Sequence, residues 1–124
     1  MSKGFVFILM IFCHIVDDYY LQGILSQMKQ IEWWKKNAPE RMYENDWVIA
    51  LTMHSFSWAF MIMLPIAIWQ QFDLSTGYYI AFIANMLVHL VTDNLKANMK
   101  SINLMTDQSV HFAQILFTFI ILVA

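Results

Sequence analysis

The stretch GFVFILMIFCHIVDDYYLQ, residues 4–22, places a histidine and two aspartates at the end of a long apolar run. A hydrocarbon core of roughly 30 Å takes about 20 helical residues to cross, and this stretch has that length. Ionisable groups in apolar surroundings are unfavourable unless they are paired, hydrated or bound to an ion. The stretch therefore predicts a transmembrane helix with a functional polar end.

The composition of the whole chain also indicates a membrane protein. Of the 124 residues, 60% are apolar and 13% are charged. So little polar surface argues against a soluble enzyme of this size. The net charge of −2 comes without the basic stripe of a nucleic-acid-binding protein, so we expect no nucleic-acid partner. The single cysteine, Cys13, allows no internal disulfide and no CxxC motif.

Four stretches predict transmembrane helices, at about residues 4–25, 47–69, 78–98 and 106–124. The fold class is therefore all-α, with residues 1–124 forming one bundle of four transmembrane helices whose partner is the lipid bilayer. Trp33 and Trp34 lie among charges in the first connection, which predicts an amphipathic segment at the headgroup level between helices 1 and 2. A signal peptide is the alternative for the first run, but no small-residue cleavage site follows it.

Three of the four histidines have an aspartate one helical turn away. The pairs are His14 with Asp18, His89 with Asp93, and Asp107 with His111. With up-down-up-down threading, these pairs and His54 all lie toward the same membrane face. Trp58, one turn past His54, would wall one side of the site. We expect one shared site, because scattered structural polar residues have no reason to agree in depth.

Histidine and aspartate in this pattern indicate a divalent metal. Neutral imidazoles and carboxylates ligate Zn²⁺, Mn²⁺ or Fe²⁺, and carboxylates from facing helices can complete a two-metal centre. The predicted metal ligands are His14, Asp18, His54, His89, Asp93, Asp107 and His111. The three aspartates expected to be catalytic are Asp18, Asp93 and Asp107. The residues expected to orient these ligands are Asp17, Gln22, Asn85, Lys96 and Gln108.

The basic residues predict the side of the membrane. Six of them lie at the polar end: Lys29, Lys35, Lys36, Arg41, Lys96 and Lys100. Only Lys3 lies at the other end, and cytoplasmic loops carry the excess of Lys and Arg. The site should then open toward the cytoplasm, with both termini outside. A bundle this small could complete its site as a homo-oligomer.

The ordered motifs resemble a known family. HIVDDYYLQ has the pattern H-x-x-x-D-x-x-x-Q, HLVTDNLKA has H-x-x-x-D-x-x-K, and DQSVH has D-Q-x-x-H. Together they resemble an uncharacterised family of small phage and bacterial integral-membrane proteins, from about Phe12 to the C-terminus. The resemblance implies a phage or prophage context and a location in the host inner (cytoplasmic) membrane, but no activity. Asp17 stands where that family commonly has a small residue, which ranks Asp18 above it.

Three functions fit these residues. The first is a membrane-embedded metal-dependent hydrolase acting on a lipid-linked or phosphorylated substrate at the cytoplasmic face, and the chain has a looser likeness to membrane-bound metal-dependent hydrolases. The second is a non-enzymatic phage membrane protein, an ion path or an inhibitor of a host membrane process, with a structural polar cluster. The third is haem ligation by paired histidines, which would not need an aspartate beside each ligand.

Overall fold

The computed structural model describes all 124 residues, and the chain is all-helical with no strand, which confirms the predicted class. The helices are α1 (Lys3–Ile15), α2 (Leu25–Met28), α3 (Ile31–Asn37), α4 (Asp46–Trp69), α5 (Thr76–Ala97) and α6 (Leu104–Leu122). A π-helical turn, Val16–Leu21, continues α1, and a 3-10 turn, Arg41–Tyr43, precedes α4. The bounds of α4, α5 and α6 agree with the predicted spans to within two residues.

Side chains cap three of the long helices at their N-termini. The hydroxyl of Ser2 accepts from the amide of Phe5 at 3.2 Å, and the hydroxyl of Ser75 accepts from the amide of Tyr78 at 3.3 Å. The side chain of Asn103 likewise accepts from the first turn of α6. Such caps satisfy amides that have no partner inside the helix and stabilise it by about 1 kcal/mol each. They explain where α1, α5 and α6 begin.

The first long helix ends earlier than the predicted residue 25. The π-helical turn holds more residues per turn than an α-helix, which brings the neighbours Asp17 and Asp18 closer to one face. Both carboxylates consequently face the interior of the bundle. Gly23 follows with a φ of +54°, a left-handed conformation that glycine adopts without a steric penalty, and the chain turns there.

The connection between α1 and α4 is fixed across the polar end of the bundle. It contains two short helices, α2 and α3, which both pack against α4. Asn98 holds the junction between them: its Oδ1 accepts from the amide of Ile31 at 2.7 Å, and its Nδ2 donates to the carbonyl of Lys29 at 3.0 Å. Lys29, which the sequence analysis counted only among the basic residues of the polar end, lies beside this junction with its side chain inside the bundle, where the residue is 5% exposed.

Two segments, Lys3–Leu21 and Arg41–Trp69, are long and apolar enough to cross a membrane. Core helices of soluble proteins and signal sequences share such length and composition. By length and apolar composition taken together, the other two predicted spans, α5 and α6, do not qualify as membrane-crossing helices. Polar side chains in those helices, such as His89 and Gln108, lower their mean hydropathy.

The interior of the bundle is half polar, and its surface is largely apolar. Of the 26 buried residues, 12 are polar or charged. The apolar core lies toward the chain termini and includes Val6, Met10, Trp58, Ile62, Ile66 and Ile115. Large hydrophobic side chains on the outer faces of the long helices are exposed, with Phe117 at 67% and Ile80 at 66%. The polar site therefore occupies one end of the interior, above an apolar core.

Candidate metal centre

Four helical segments deliver the polar cluster. The π-helical turn and the end of α1 supply His14, Asp17 and Asp18; α4 supplies His54; α5 supplies His89 and Asp93; and α6 supplies Asp107 and His111. All of these residues are buried except Asp18, whose side chain is 8% exposed. The side chains that the predicted helix arrangement placed at one depth thus lie together. Within the cluster, two groups of three residues have ligand atoms spaced closely enough to hold a metal ion.

The first group consists of Asp18, His54 and His89, whose ligand atoms all lie within 4.8 Å of one another. The Nε2 atoms of His54 and His89 are 3.1 Å apart, and Asp18 Oδ1 is 3.2 Å from His54 Nε2. Tetrahedral ligands bound to Zn²⁺ at about 2.0–2.2 Å lie roughly 3.3 Å from one another. The two distances are close to that spacing, and they are also within the range of hydrogen bonds.

The second group consists of Asp18, Asp107 and His111. The amide nitrogen of Gln114 donates to the carbonyl of Asn85, so the oxygen of Gln114 accepts a proton from His111 Nδ1 at 3.1 Å. In a neutral ring the lone pair of His111 Nε2 then faces Asp107 Oδ1 at 3.2 Å, and that oxygen has no hydrogen-bond partner. Two facing lone pairs require a proton or a metal ion between them.

Asp18 belongs to both groups, so its carboxylate lies between them. The rings of His89 and His111, one from each group, stack with their centroids 4.2 Å apart. Trp58 stacks on His89 at 4.4 Å and forms the wall that its position next to His54 predicted. Asp18 could therefore serve as a ligand to an ion held by either group.

A chain of hydrogen bonds fixes one carboxylate oxygen, Oδ2, of both Asp18 and Asp107. The indole of Trp58 donates to His14 Nδ1 at 2.8 Å, so a neutral His14 carries its proton on Nε2 and donates it to Gln108 Oε1 at 2.8 Å. The amide nitrogen of Gln108 donates to Oδ2 of Asp18 and to Oδ2 of Asp107, each at 3.0 Å. The Oδ1 atoms are left facing the imidazoles. His14 itself, with both ring nitrogens engaged, lies outside both ligand groups.

Two lysines contact the carboxylates of Asp93 and Asp107. Lys29 Nζ contacts both oxygens of Asp93, at 2.8 and 3.0 Å, and Gln22 Oε1 at 2.5 Å. Lys96 Nζ lies 3.0 Å from Asp107 Oδ2 and 3.8 Å from Asp93 Oδ1. Asp93 is therefore engaged by ammonium groups on both sides, and it too lies outside both ligand groups.

The cluster holds more negative than positive charge. Its four carboxylates are those of Asp17, Asp18, Asp93 and Asp107, and its two ammonium groups are those of Lys29 and Lys96. With neutral imidazoles this leaves a formal charge of −2 in a buried site. An uncompensated buried charge costs several kcal/mol, so the site favours either a bound cation or protonation of a carboxylate or imidazole.

Two other residues of the predicted site, Asp17 and Asn85, lie outside the two ligand groups. Asp17 accepts from Ser57 at 2.5 Å through Oδ1, while its Oδ2 has no hydrogen-bond partner and lies 3.9 Å from His54 Nδ1. Asn85 donates to Thr118 at 2.8 Å and accepts from Gln114, the residue that orients His111.

Lys29 is the one charged residue of the site that the sequence reasoning did not include. It lies seven residues after Gln22, which is two helical turns, so the two residues share a face in a continuous helix. That spacing, together with the apolar neighbours Met28 and Ile31, is the signal that could have found it.

Comparisons with protein-family models, with curated proteins and with solved structures found no match. The resemblance of the motifs to a family of phage and bacterial membrane proteins stays a prediction.

Proposed function

We propose that this chain is a membrane-embedded protein that holds two divalent metal ions bridged by Asp18 and uses them to hydrolyse a phosphoester at the cytoplasmic face. One observation carries the proposal: two ligand groups share Asp18, and the unpartnered Oδ1 of Asp107 faces an imidazole nitrogen within the second group. One bound divalent ion would offset the formal charge of −2, and a second would give the site a net positive charge.

The distribution of polarity supports four membrane spans. Exposed apolar side chains cover the outer faces of α5 and α6 as well as of α1 and α4, while ionisable groups lie inside. Ionisable residues of membrane proteins face the bundle interior and mark functional sites. The excess of Lys and Arg at the polar end supports a cytoplasmic orientation. The motif resemblance favours the inner membrane of a bacterial host.

The proposed reaction consumes one water. Its oxygen bonds to phosphorus, the bond from phosphorus to the ester oxygen breaks, and one water proton ends on the departing alcohol. Bound divalent ions lower the pKa of water and withdraw charge from phosphoryl oxygens. Lys96, whose side chain is 28% exposed, is the most accessible cation of the cluster and could contact the phosphate. Nitrogen and oxygen ligands suit Zn²⁺, Mn²⁺ and Fe²⁺ alike.

Hydrolysis of a water-soluble phosphoester tests the proposal. The protein, reconstituted in lipid nanodiscs and loaded in turn with Zn²⁺, Mn²⁺ or Fe²⁺, should hydrolyse p-nitrophenyl phosphate with at least one of them. Asp18→Asn should lower the rate by about 100-fold or more, because it removes a carboxylate charge from both ion sites. Asp73→Asn, an equal change at an exposed aspartate, is the matched control. Equal rates in the two variants, or no rate in the loaded native protein, would overturn the proposal.

A non-enzymatic ion path is the second candidate, and one observation favours it. Polar contacts continue from His111 through Gln114 and Asn85 to Thr118, away from the ligand groups and toward the apolar end. A path of this kind would let ions cross liposomes containing the native protein, and Asn85→Leu would stop the flux. The metal centre predicts no flux, so an ion-flux assay separates the two functions.

A further inference from the structure

A pocket lies between the connection from α1 to α4 and the first turns of α4. Its volume is about 360 Å³, within the range of roughly 300–1,000 Å³ that small-molecule sites occupy. The connection supplies Leu25, Met28 and Trp34 to its lining, and α4 supplies Asp46, Ile49 and Met53. No residue of the candidate metal centre lines this pocket, so it is a separate feature of the molecule.

The pocket carries one charge, and that charge has no partner in the chain. Asp46 is the only ionisable residue of the lining, and it is partly buried. Its carboxylate forms no ion pair and accepts no hydrogen bond. Asp46 stands in the first turn of α4, where the positive end of the helix dipole offsets about half a unit charge. The pocket therefore keeps a net negative charge.

The rest of the lining is aromatic and apolar. The indole nitrogen of Trp34 donates to the carbonyl of Met28 at 2.6 Å, and Tyr43 stacks on Trp34 with ring centroids 6.3 Å apart. These contacts hold the indole in place as one wall of the pocket. Aromatic rings attract organic cations, and the ring of Trp does so most strongly. A carboxylate beside an indole and apolar walls therefore complements a cation that is itself partly apolar.

Other classes of ligand fit this pocket poorly. Ca²⁺ takes about 6–8 oxygen ligands, whereas the lining offers a single carboxylate. An anion would be repelled by Asp46 and would find no basic side chain in the lining. A neutral hydrocarbon would cover the carboxylate without pairing it, which is unfavourable.

We propose that this pocket binds an organic ammonium ion, with its nitrogen beside Asp46 and Trp34 and its methyl or methylene groups against Met28 and Met53. The site does not depend on the proposed metal centre. Because its walls come from both the connection and α4, a bound ligand would join these two parts of the chain.

The surface next to the pocket bears on the source of the ammonium group. Met53, Phe56 and Phe60 are 58%, 52% and 49% exposed, and their spacing places them in one stripe along α4. A lipid with an ammonium headgroup would lay its hydrocarbon chain on this stripe. A soluble amine would use the pocket alone.

Methionine methyl resonances test the site, because Met28 and Met53 both line it. The isotope-labelled protein in micelles of a non-ionic detergent is titrated with choline, and the two resonances are assigned with Met28→Leu and Met53→Leu. Choline should shift both resonances. Its uncharged isostere, in which a carbon atom replaces the nitrogen, should bind about tenfold more weakly, because it lacks the attraction to the ring and to the carboxylate. Equal affinities, or shifts confined to other methionines such as Met99 and Met105, would overturn the proposal.

A matched pair of variants tests the carboxylate. Asp46→Asn should weaken choline binding about tenfold, to the level of the isostere, while Asp73→Asn, the same change at an exposed aspartate outside the pocket, should retain it. Salt provides a second measurement on the native protein, which needs no variant to fold. Added NaCl should weaken the binding of choline and leave that of the isostere unchanged, because salt screens the exposed part of the charge interaction. Unchanged choline binding in Asp46→Asn, or no effect of salt, would contradict the role of Asp46.

Nanodiscs of two compositions distinguish the two sources. A lipid headgroup as ligand predicts that choline shifts the Met28 and Met53 resonances in phosphatidylglycerol nanodiscs but not in phosphatidylethanolamine nanodiscs, where the headgroup already fills the pocket. A soluble amine predicts equal shifts in both. Either result supports an ammonium site, and shifts in neither would overturn it.

Discussion

The two ends of the bundle interior differ in what they contain, although large apolar side chains are exposed on the outside of both. At the end near the chain termini, Val6, Ile62 and Ile66 pack against one another, so interior and exterior are chemically alike. At the other end the interior holds four carboxylates, two lysines and four imidazoles. Replacing buried ion pairs with hydrophobic residues is often neutral or stabilising. The buried charges of the polar end are therefore weak evidence for a role in stability, and ligand binding is the role that we propose for them.

Trp58 contacts both the apolar end and the polar end of the bundle interior. It belongs to the apolar core, yet its indole donates to His14 and its ring stacks on His89. Substitutions on each side of Trp58 test whether the two ends of the interior behave independently.

Lys29→Met should have the largest effect on stability. It leaves Asp93 buried without its ammonium partner, and breaking one side of a buried ion pair costs about 3–5 kcal/mol. The measurement is denaturant unfolding in detergent micelles, followed by tryptophan fluorescence. Lys35→Met, at an exposed position, should stay within about 0.5 kcal/mol of the native protein.

A double variant separates the charge from the side-chain volume. Lys29→Met combined with Asp93→Asn should recover more than half of the lost free energy of unfolding, because no unpaired charge remains. No recovery would mean that Lys29 stabilises the connection between α1 and α4 by packing and not by pairing with Asp93.

Ile62→Ala tests the apolar end and should cost about 2–4 kcal/mol, because it opens a cavity beneath Trp58. Ile68→Ala, at an exposed position of the same helix, should cost less than about 0.5 kcal/mol. Metal affinity, measured by competition with a chelator, should be unchanged in both variants. A large loss of affinity in Ile62→Ala would show that the two ends are not independent.

Gln108→Leu should weaken metal binding by about 10- to 100-fold, as loss of a residue that orients metal ligands typically does. The reason is that Oδ2 of Asp18 and of Asp107 would lose their shared donor. Isothermal titration with Mn²⁺ provides the measurement, and Gln27→Leu at an exposed position is the control. If both variants bind Mn²⁺ equally well, Gln108 does not position the carboxylates.

Trp58→Phe should have the smallest effect, about 0.5–1.5 kcal/mol on the free energy of unfolding. The substitution keeps an aromatic ring over His89 but removes the donor to His14 Nδ1. Trp69→Phe, at the end of α4, is the comparison. A loss above about 3 kcal/mol would indicate that packing of the larger indole, not its hydrogen bond, dominates.

Much of the arrangement could be predicted from the sequence because helical period and loop length are local properties. Apolar runs set the positions of α4, α5 and α6 to within two residues. Short connections make neighbours antiparallel, which places His54, His89 and His111 at one level. The sequence placed Trp58 beside the site as a wall, but its stacking on His89 was not predicted.

The rest depends on contacts between residues far apart in the chain. No local pattern around Lys29 indicates that its partner is Asp93, 64 positions away. Nor does any local pattern indicate that Asn98 binds the carbonyl of Lys29. The π-helical turn that directs both Asp17 and Asp18 inward has no periodic signal of its own. The division of the ligands into two groups, with His14 and Asp93 outside them, likewise follows from partner choice in three dimensions.

The metal content of the folded protein tests the central claim most directly. Protein purified in mild detergent, loaded with Mn²⁺ and passed over a desalting column is measured by elemental analysis, with circular dichroism to verify folding. The bridged centre predicts about two ions for each native chain, fewer than one for Asp18→Asn, and about two for the control Asp73→Asn. A native chain that is fully folded and retains no ion, or an Asp18→Asn variant that retains as many ions as the native chain, would contradict the claim.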